Sequence, residues 1–104
     1  MSSHAPTLLP AHLRFPGGAA RQDSWGRLLA VTAGGSRLVT ASRLSKGEEV
    51  LVGFELGGER LLMPGRVHDA YRDDDGQCVA ELRWTDLVER KRLARVLVDV
   101  LARS

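Results

Sequence analysis

Cysteine is nearly absent from this chain, and Cys78 alone can build neither an intramolecular disulfide nor a cysteine-rich zinc site. Such scarcity fits a reducing, cytoplasmic setting. Cys78 has no basic cluster close by in sequence to favour a thiolate, so it reads as core packing. Long apolar runs are missing too. Nothing approaches the roughly 18 residues that span a bilayer, and the C-terminal run is broken by Arg95, Asp99 and Arg103, so membrane insertion is not expected. The N-terminus lacks a basic n-region and offers only Leu8-Leu9 as an apolar stretch, which is not a secretory signal.

An excess of one charge is absent as well. Fifteen basic residues face 13 acidic ones, for a net charge of +2. Interspersed charge of this kind makes no strong long-range field, and with aromatics at only 5% it argues against nucleic acid as a partner. His4, His12 and His68 lack metal-ligand spacing. The Asp73–Asp75 run lacks alternating ligand positions, and Trp84 stands where a loop-closing glutamate would be needed for calcium. No strand–elbow–helix signature or triad supplies an activated nucleophile. Neither a metal site nor catalysis is expected.

What is present is ordinary globular material: 43% hydrophobic and 27% charged residues in 104, enough for one domain and one core. Residues 1–22 carry three of the four prolines and a Gly17-Gly18 pair without sustained periodicity, and are expected to form a flexible arm. Residues 23–104 read as the folded body. Short apolar runs at Arg27–Val31 and Ser36–Ala41 flank Gly34-Gly35, whose φ freedom suits a turn between paired strands. Val50, Val52, Phe54 and Leu56 share one face of a strand that turns at Gly57-Gly58. The returning strand, 59–63, is expected to end at Pro64-Gly65, with a weaker strand over 66–71. Asp73–Gly76 makes a polar turn, and Cys78, Ala80, Leu82 and Trp84 alternate inward.

A helix is expected over about residues 86–102, with Asp86 capping its first turn and Glu89 reaching back to the cap amide. Leu93, Val96, Leu97, Val100 and Leu101 recur at three- and four-residue steps. Adding Leu87, Ala94 and Val98 widens the apolar arc to roughly 200°, more than one buried face of ~100° needs. The surplus marks Val98 and Leu101 as partner-binding candidates. Trp25, just ahead of the first expected strand, is a third.

From Gly26 to Leu101 the order runs strand, Gly-Gly turn, strand, a Ser45-Lys-Gly-Glu48 step, hairpin, a Gly65-Arg-Val67 strand, acidic turn, a strand ending Trp84-Thr-Asp-Leu87, and helix. This order resembles the PilZ domain family over roughly three-quarters of the chain. The resemblance implies a mainly β fold, a small six-stranded antiparallel barrel with one C-terminal α-helix. It also implies bacterial signalling through cyclic di-GMP, for which many PilZ domains are receptors. The family's ligand motifs are Arg-x-x-x-Arg in the arm before the barrel and Asp/Asn-x-Ser-x-x-Gly where the first strands turn. Arginine forks suit phosphate and the guanine O6/N7 edge; an acidic or amide side chain accepts from the guanine Watson–Crick edge.

The second motif aligns with Ala30-Val31-Thr32-Ala33-Gly34-Gly35: Thr32 stands for serine, Gly35 keeps the glycine, and Ala30 has lost the acceptor. For the first, Arg14-Phe-Pro-Gly-Gly18 ends on glycine, leaving Arg21 as the nearby substitute. Charge-assisted hydrogen bonds are worth about 1.5–3 kcal/mol each, so losing two or three weakens binding roughly 10³-fold. The resemblance therefore implies a degenerate, non-catalytic adaptor of motility or surface behaviour that contacts another protein, or a second copy of itself, with no cofactor. Its alternatives are a cyclic di-GMP receptor with an altered site built from Arg14, Arg21, Thr32, Gly34 and Gly35, and a small nucleic-acid-binding barrel.

Overall fold

The computed structural model describes residues 9–18 and 21–103. Six antiparallel strands, β1 (Leu9–Arg14), β2 (Ser24–Val31), β3 (Gly35–Thr40), β4 (Glu49–Leu56), β5 (Glu59–Arg72) and β6 (Cys78–Trp84), precede one helix, α1 (Leu87–Ala102). They close into a barrel in the order β1-β2-β3-β6-β5-β4, with β1 pairing to β4. Period-two alternation decides which side chains enter. Val50, Val52 and Phe54 of β4, Leu61, Met63 and Val67 of β5, and Ala80, Leu82 and Trp84 of β6 all point inward. Each fully buried leucine or valine contributes on the order of 1.5–3 kcal/mol. Cys78 packs partly buried against this core.

The expected flexible arm over residues 1–22 contains a strand of the barrel. Leu9–Arg14 is β1, with Ala11 and Leu13 fully buried; residues 1–8 of that arm, and Ala19 and Ala20, lie outside the described residues. Pro10 is tolerated because it falls where β1 pairs with β2 alone, opposite Arg27, whereas pairing to β4 begins at His12. The expected break at Pro64-Gly65 is also absent. β5 runs through it as one 14-residue strand, because the Pro64 carbonyl accepts from Thr85 N at 2.9 Å and β6 has already ended at Trp84. A residue's N–H and C=O point to the same neighbour in an antiparallel strand. The missing proline donor thus falls just past the end of β6. The barrel keeps six strands because β1 is gained while the two expected pieces of β5 are one.

The Gly57-Gly58 hairpin has φ of +60° and +80°, the pattern of a type I′ turn. Gly34 and Gly35, by contrast, do not have positive φ, so conformational freedom is not what selects them. At Gly35 the reason is space: a Cβ there would stand 2.1 Å from the Leu82 carbonyl oxygen of β6. The acidic turn is built as expected, with Asp73 Oδ1 accepting from the backbone N–H of Asp75 and Gln77, each at 2.9 Å.

Asp86 caps α1 by accepting from Glu89 N at 3.0 Å. The Glu89 carboxylate does not complete the capping box; it lies 3.7 Å from Arg92 Nη1. Leu93 and Val96 are buried and Leu97 and Val100 partly so, and the helix packs on β4 and β5.

Gly35→Ala should lower unfolding free energy by about 2–3 kcal/mol through overpacking against β6. Gly34→Ala, whose added methyl would meet nothing within 4 Å, should cost less than about 0.5 kcal/mol. Urea denaturation of both variants checks this; equal losses would refute the close-approach explanation.

Candidate functional site

A groove of about 520 Å³ runs over the outside of the barrel, where the β2–β3 turn meets β3, β6 and β5. Two register shifts shape it. One, between Leu28 and Ala30 in β2, leaves Leu28 buried and turns Ala30 out into the groove; another, between Val67 and Asp69 in β5, lies beside His68. Bulges of this kind re-aim side chains next to sites. Thr32, Gly34 and Gly35 line the same groove, so these three sequence-derived candidates do converge.

Thr32 is, however, already engaged. Its Oγ1 accepts from Gly34 N at 3.2 Å and Gly35 N at 3.1 Å, and lies 3.3 Å from the Gly35 carbonyl as donor. Its N–H donates to the same carbonyl at 2.9 Å. Trp84 holds the turn from β6: its indole Nε1 donates to Thr32 O at 3.1 Å and its backbone N to Gly34 O at 3.0 Å. The indole ring stacks on Phe54 with centroids 6.3 Å apart. The turn chemistry accounts for Thr32 without a ligand.

Arg14 and Arg21 do not join this groove. Leu13 pairs with Ser24 and Val31 with Ser36, so Arg14 sits at the opposite end of the eight-residue β2 from the β2–β3 turn, about 25 Å away at ~3.3 Å per residue. Arg14 is exposed beside Asp23, Nε to Oδ2 3.7 Å. Arg21 is structural: its Nε pairs with Glu48 Oε2 at 3.1 Å, it donates to the Arg43 carbonyl, and its Cζ lies 4.3 Å from the Phe15 ring centroid. It ties the β1–β2 loop to the β3–β4 loop. The barrel begins at Leu9, and residues 1–8 of the sequence, ahead of it, contain no arginine.

The cations that do line the groove come from the strands. Arg37 Nη2 is 2.8 Å from Glu81 Oε1, and that hydrogen bond, with the carboxylate's charge, raises the Arg37 pKa further above its ordinary value. Arg83 Nη2 lies 3.1 Å from His68 Nε2. A guanidinium has only donors, so the imidazole accepts at Nε2 and is neutral in this contact. Among the described residues no carboxylate pairs with Arg83. A second hollow of about 430 Å³ continues past His68 and Arg83 to Arg66 and Lys46. The combined trough therefore presents Arg37, Arg83, Arg66 and Lys46, with Glu81 against Arg37 and Glu49 Oε2 3.8 Å from Arg66 Nη2. It suits a small anion, while Ala30 offers no side-chain acceptor for a guanine edge; the acceptors in the lining include Glu81, held by Arg37, and the buried Ser36 Oγ, which has no hydrogen-bond partner. Gly35 faces Arg83 only through β3–β6 pairing, a contact between residues 48 apart that strand alternation does not reveal.

The partner-binding candidates lie elsewhere. Trp25 is 67% exposed, its ring 4.8 Å from His12, in a row Trp25–His12–Gly53–Leu62 across four strands. Val98 and Leu101 are exposed on α1 by 65% and 69%, with Leu87 and Val88 also open. Among the described residues no group of three His, Cys, Asp or Glu could hold a metal, and no helix is long and apolar enough to cross a membrane.

No protein-family model matches the sequence, and no curated protein does. A solved structure described as the PilZ domain of CeSA from a cellulose-synthesizing bacterium is similar, with a TM-score of 0.61, 23% sequence identity, and coverage of 96% of this chain and 97% of that one. At that identity the likeness concerns the fold: the chain has a PilZ-like fold, a closed six-stranded antiparallel barrel with one C-terminal helix.

Thr32→Val should cost about 1–2 kcal/mol by stranding two turn amides, whereas Thr32→Ser should cost under about 0.5 kcal/mol. Denaturation read alongside exchange of the Gly34 and Gly35 amides checks this; indistinguishable variants would mean the hydroxyl does not pin the turn.

Proposed function

We propose that this chain is a non-catalytic regulatory module of PilZ-like fold that works by contacting another protein and does not retain cyclic di-GMP as a complete family motif would. One observation carries the reading: the groups that would have to converge on the dinucleotide are dispersed. Arg14 and Arg21 sit at the far end of β2 from Thr32, Gly34 and Gly35, Arg21 is occupied by Glu48, and Ala30 offers no acceptor. A doubly anionic ligand reaching the groove would meet Arg83 and Arg66, but Ala30 gives its guanines no side-chain acceptor and Glu81 is already held by Arg37.

Exposed apolar surface supplies the positive argument. Trp25, Leu87, Val88, Val98 and Leu101 are more than half exposed, and aromatic or aliphatic anchors of this kind are what protein interfaces bury. The fold resemblance and the source of the solved neighbour, a cellulose-synthesizing bacterium, favour a cytoplasmic role in motility or surface behaviour. A second reading, an altered cyclic di-GMP site, is favoured by one feature: Arg83 stands in the groove against a neutral imidazole instead of a carboxylate.

Titration calorimetry with cyclic di-GMP separates the two. The expected result is no saturable heat below about 100 µM, given a loss of roughly 10³-fold or more. A dissociation constant near or below about 1 µM would overturn the leading reading. Loss of that binding in Arg83→Ala would assign the ligand to the groove, and loss in Arg14→Ala with Arg21→Ala to the opposite end.

A further inference from the structure

The buried face of α1 uses Leu93 and Val96, with Leu97 and Val100 partly covered. A second stripe remains on the other side. Leu87, Lys91, Ala94, Val98 and Leu101 follow one another at steps of four, three, four and three, the spacing of a helix–helix seam over two heptads. Leu87, Val98 and Leu101 are 62%, 65% and 69% exposed. The borders of the stripe are cationic: Arg90 and Arg95 flank it, Lys91 interrupts it, and among the described residues none of these three has an ion-pair partner, whereas Arg92, on the barrel side, is held by Glu59 at 3.2 Å and Glu89 at 3.7 Å.

We propose that this stripe is one half of a helix–helix interface whose other half is an acidic amphipathic helix of a different protein. The inference rests on the protein-contact reading above and names the chemistry of the partner. Charge selects the occupant. In a parallel pair with a second copy, Lys91 would face Lys91 and Arg90 would face Arg95 across the seam; an antiparallel pair would gather the same cations around Ala94. A partner with glutamates on both flanks turns each repulsion into a pair. One acidic residue in its own seam would meet Lys91 and fix the register, the established use of a single polar group at such a position. An anionic bilayer also attracts a basic amphipathic helix with tryptophan, phenylalanine or leucine on its apolar side; α1 contains no aromatic residue, and a narrow stripe at heptad spacing interrupted by Lys91 is the pattern of a helix–helix seam.

The test uses the whole chain and a synthetic helical peptide of about three heptads, with leucine along its seam, one seam glutamate and glutamate on both flanks, against an otherwise identical lysine-flanked peptide. Fluorescence anisotropy should show the acidic peptide binding at least about tenfold more tightly than the basic one, and weakening from about 50 to about 500 mM salt. Val98→Gln with Leu101→Gln should reduce that affinity about tenfold or more. Both side chains are exposed, so the thermal melt should be unmoved. Arg90→Glu with Arg95→Glu should reverse the preference between the peptides.

Failure to bind either peptide, or equal binding of both, would overturn the proposal. So would binding to vesicles of mixed phosphatidylcholine and phosphatidylserine without peptide preference, which would make the stripe a membrane contact. A sedimenting dimer that Val98→Gln with Leu101→Gln dissolves would assign the stripe to a second copy and also refute it. If the peptides fail while cyclic di-GMP is still not bound, only the acidic-helix partner falls and Trp25 remains as the contact; tight cyclic di-GMP binding instead removes the reading beneath it.

Discussion

Closure through β1 is the constraint on which the rest of the molecule depends. β2 and β4 each have one partner apart from β1, β3 for the first and β5 for the second, and β1 bonds both. Without those six residues the sheet would have two open edges, exposed N–H and C=O groups, and a core opened beside Ala11 and Leu13. Closure also fixes which side of every strand is inside. Once Leu13, Leu28, Leu38, Val52 and Met63 are committed to the interior, their neighbours Arg27, Arg37 and Leu62 have only the outer surface left, and the basic trough and the Trp25 row are the consequence.

That dependence explains which parts of the fold were legible in sequence. The Gly57-Gly58 hairpin, the Asp73 turn and the Asp86 cap are local: each is dictated by residues within a few positions and is built as the residue types require. β1 is short, holds Pro10, and is held in place by chain 11 or more residues away, so composition alone suggests a loose arm. Pro64 misled for the related reason that the effect of a missing N–H depends on what stands opposite, and only the end of β6 at Trp84 makes it harmless. For the groove, the turn residues Thr32, Gly34 and Gly35 could be found because they are contiguous. Arg83 and His68 could not, since two register shifts and the pairing of β3, β6 and β5 bring them there.

The β2–β3 turn carries Thr32 and Gly35, the residues that resemble the family's ligand motif, and each has a structural task of its own. Gly35 is required by the Leu82 carbonyl whether or not anything binds, and Thr32 is held by the amides it caps and by the Trp84 indole. Neither role involves the acceptor position, so alanine at residue 30 leaves the turn intact. The two features most like the family's motif are thus also the two with an independent structural cause. Both residues are accounted for by the barrel without a ligand.

The helix divides along the same line between scaffold and surface. A short barrel needs one apolar face of α1, and Leu93 with Val96 satisfies that need against β4 and β5. Burial does not explain leucine and valine at 87, 88, 98 and 101, which face water, nor an arginine-rich border whose charges, unlike that of Arg92, find no carboxylate among the described residues of the barrel. Helix propensity would be served as well by alanine, glutamate or glutamine at these positions, and exposed apolar side chains in a stripe favour association over solubility. The residues that the barrel does not need are the ones patterned for a second helix. The charges that border and interrupt the seam, Arg90, Lys91 and Arg95, are cationic, with Asp99 one turn beyond Arg95 and outside the seam, which makes the surface poorly complementary to itself and well suited to an acidic counterpart.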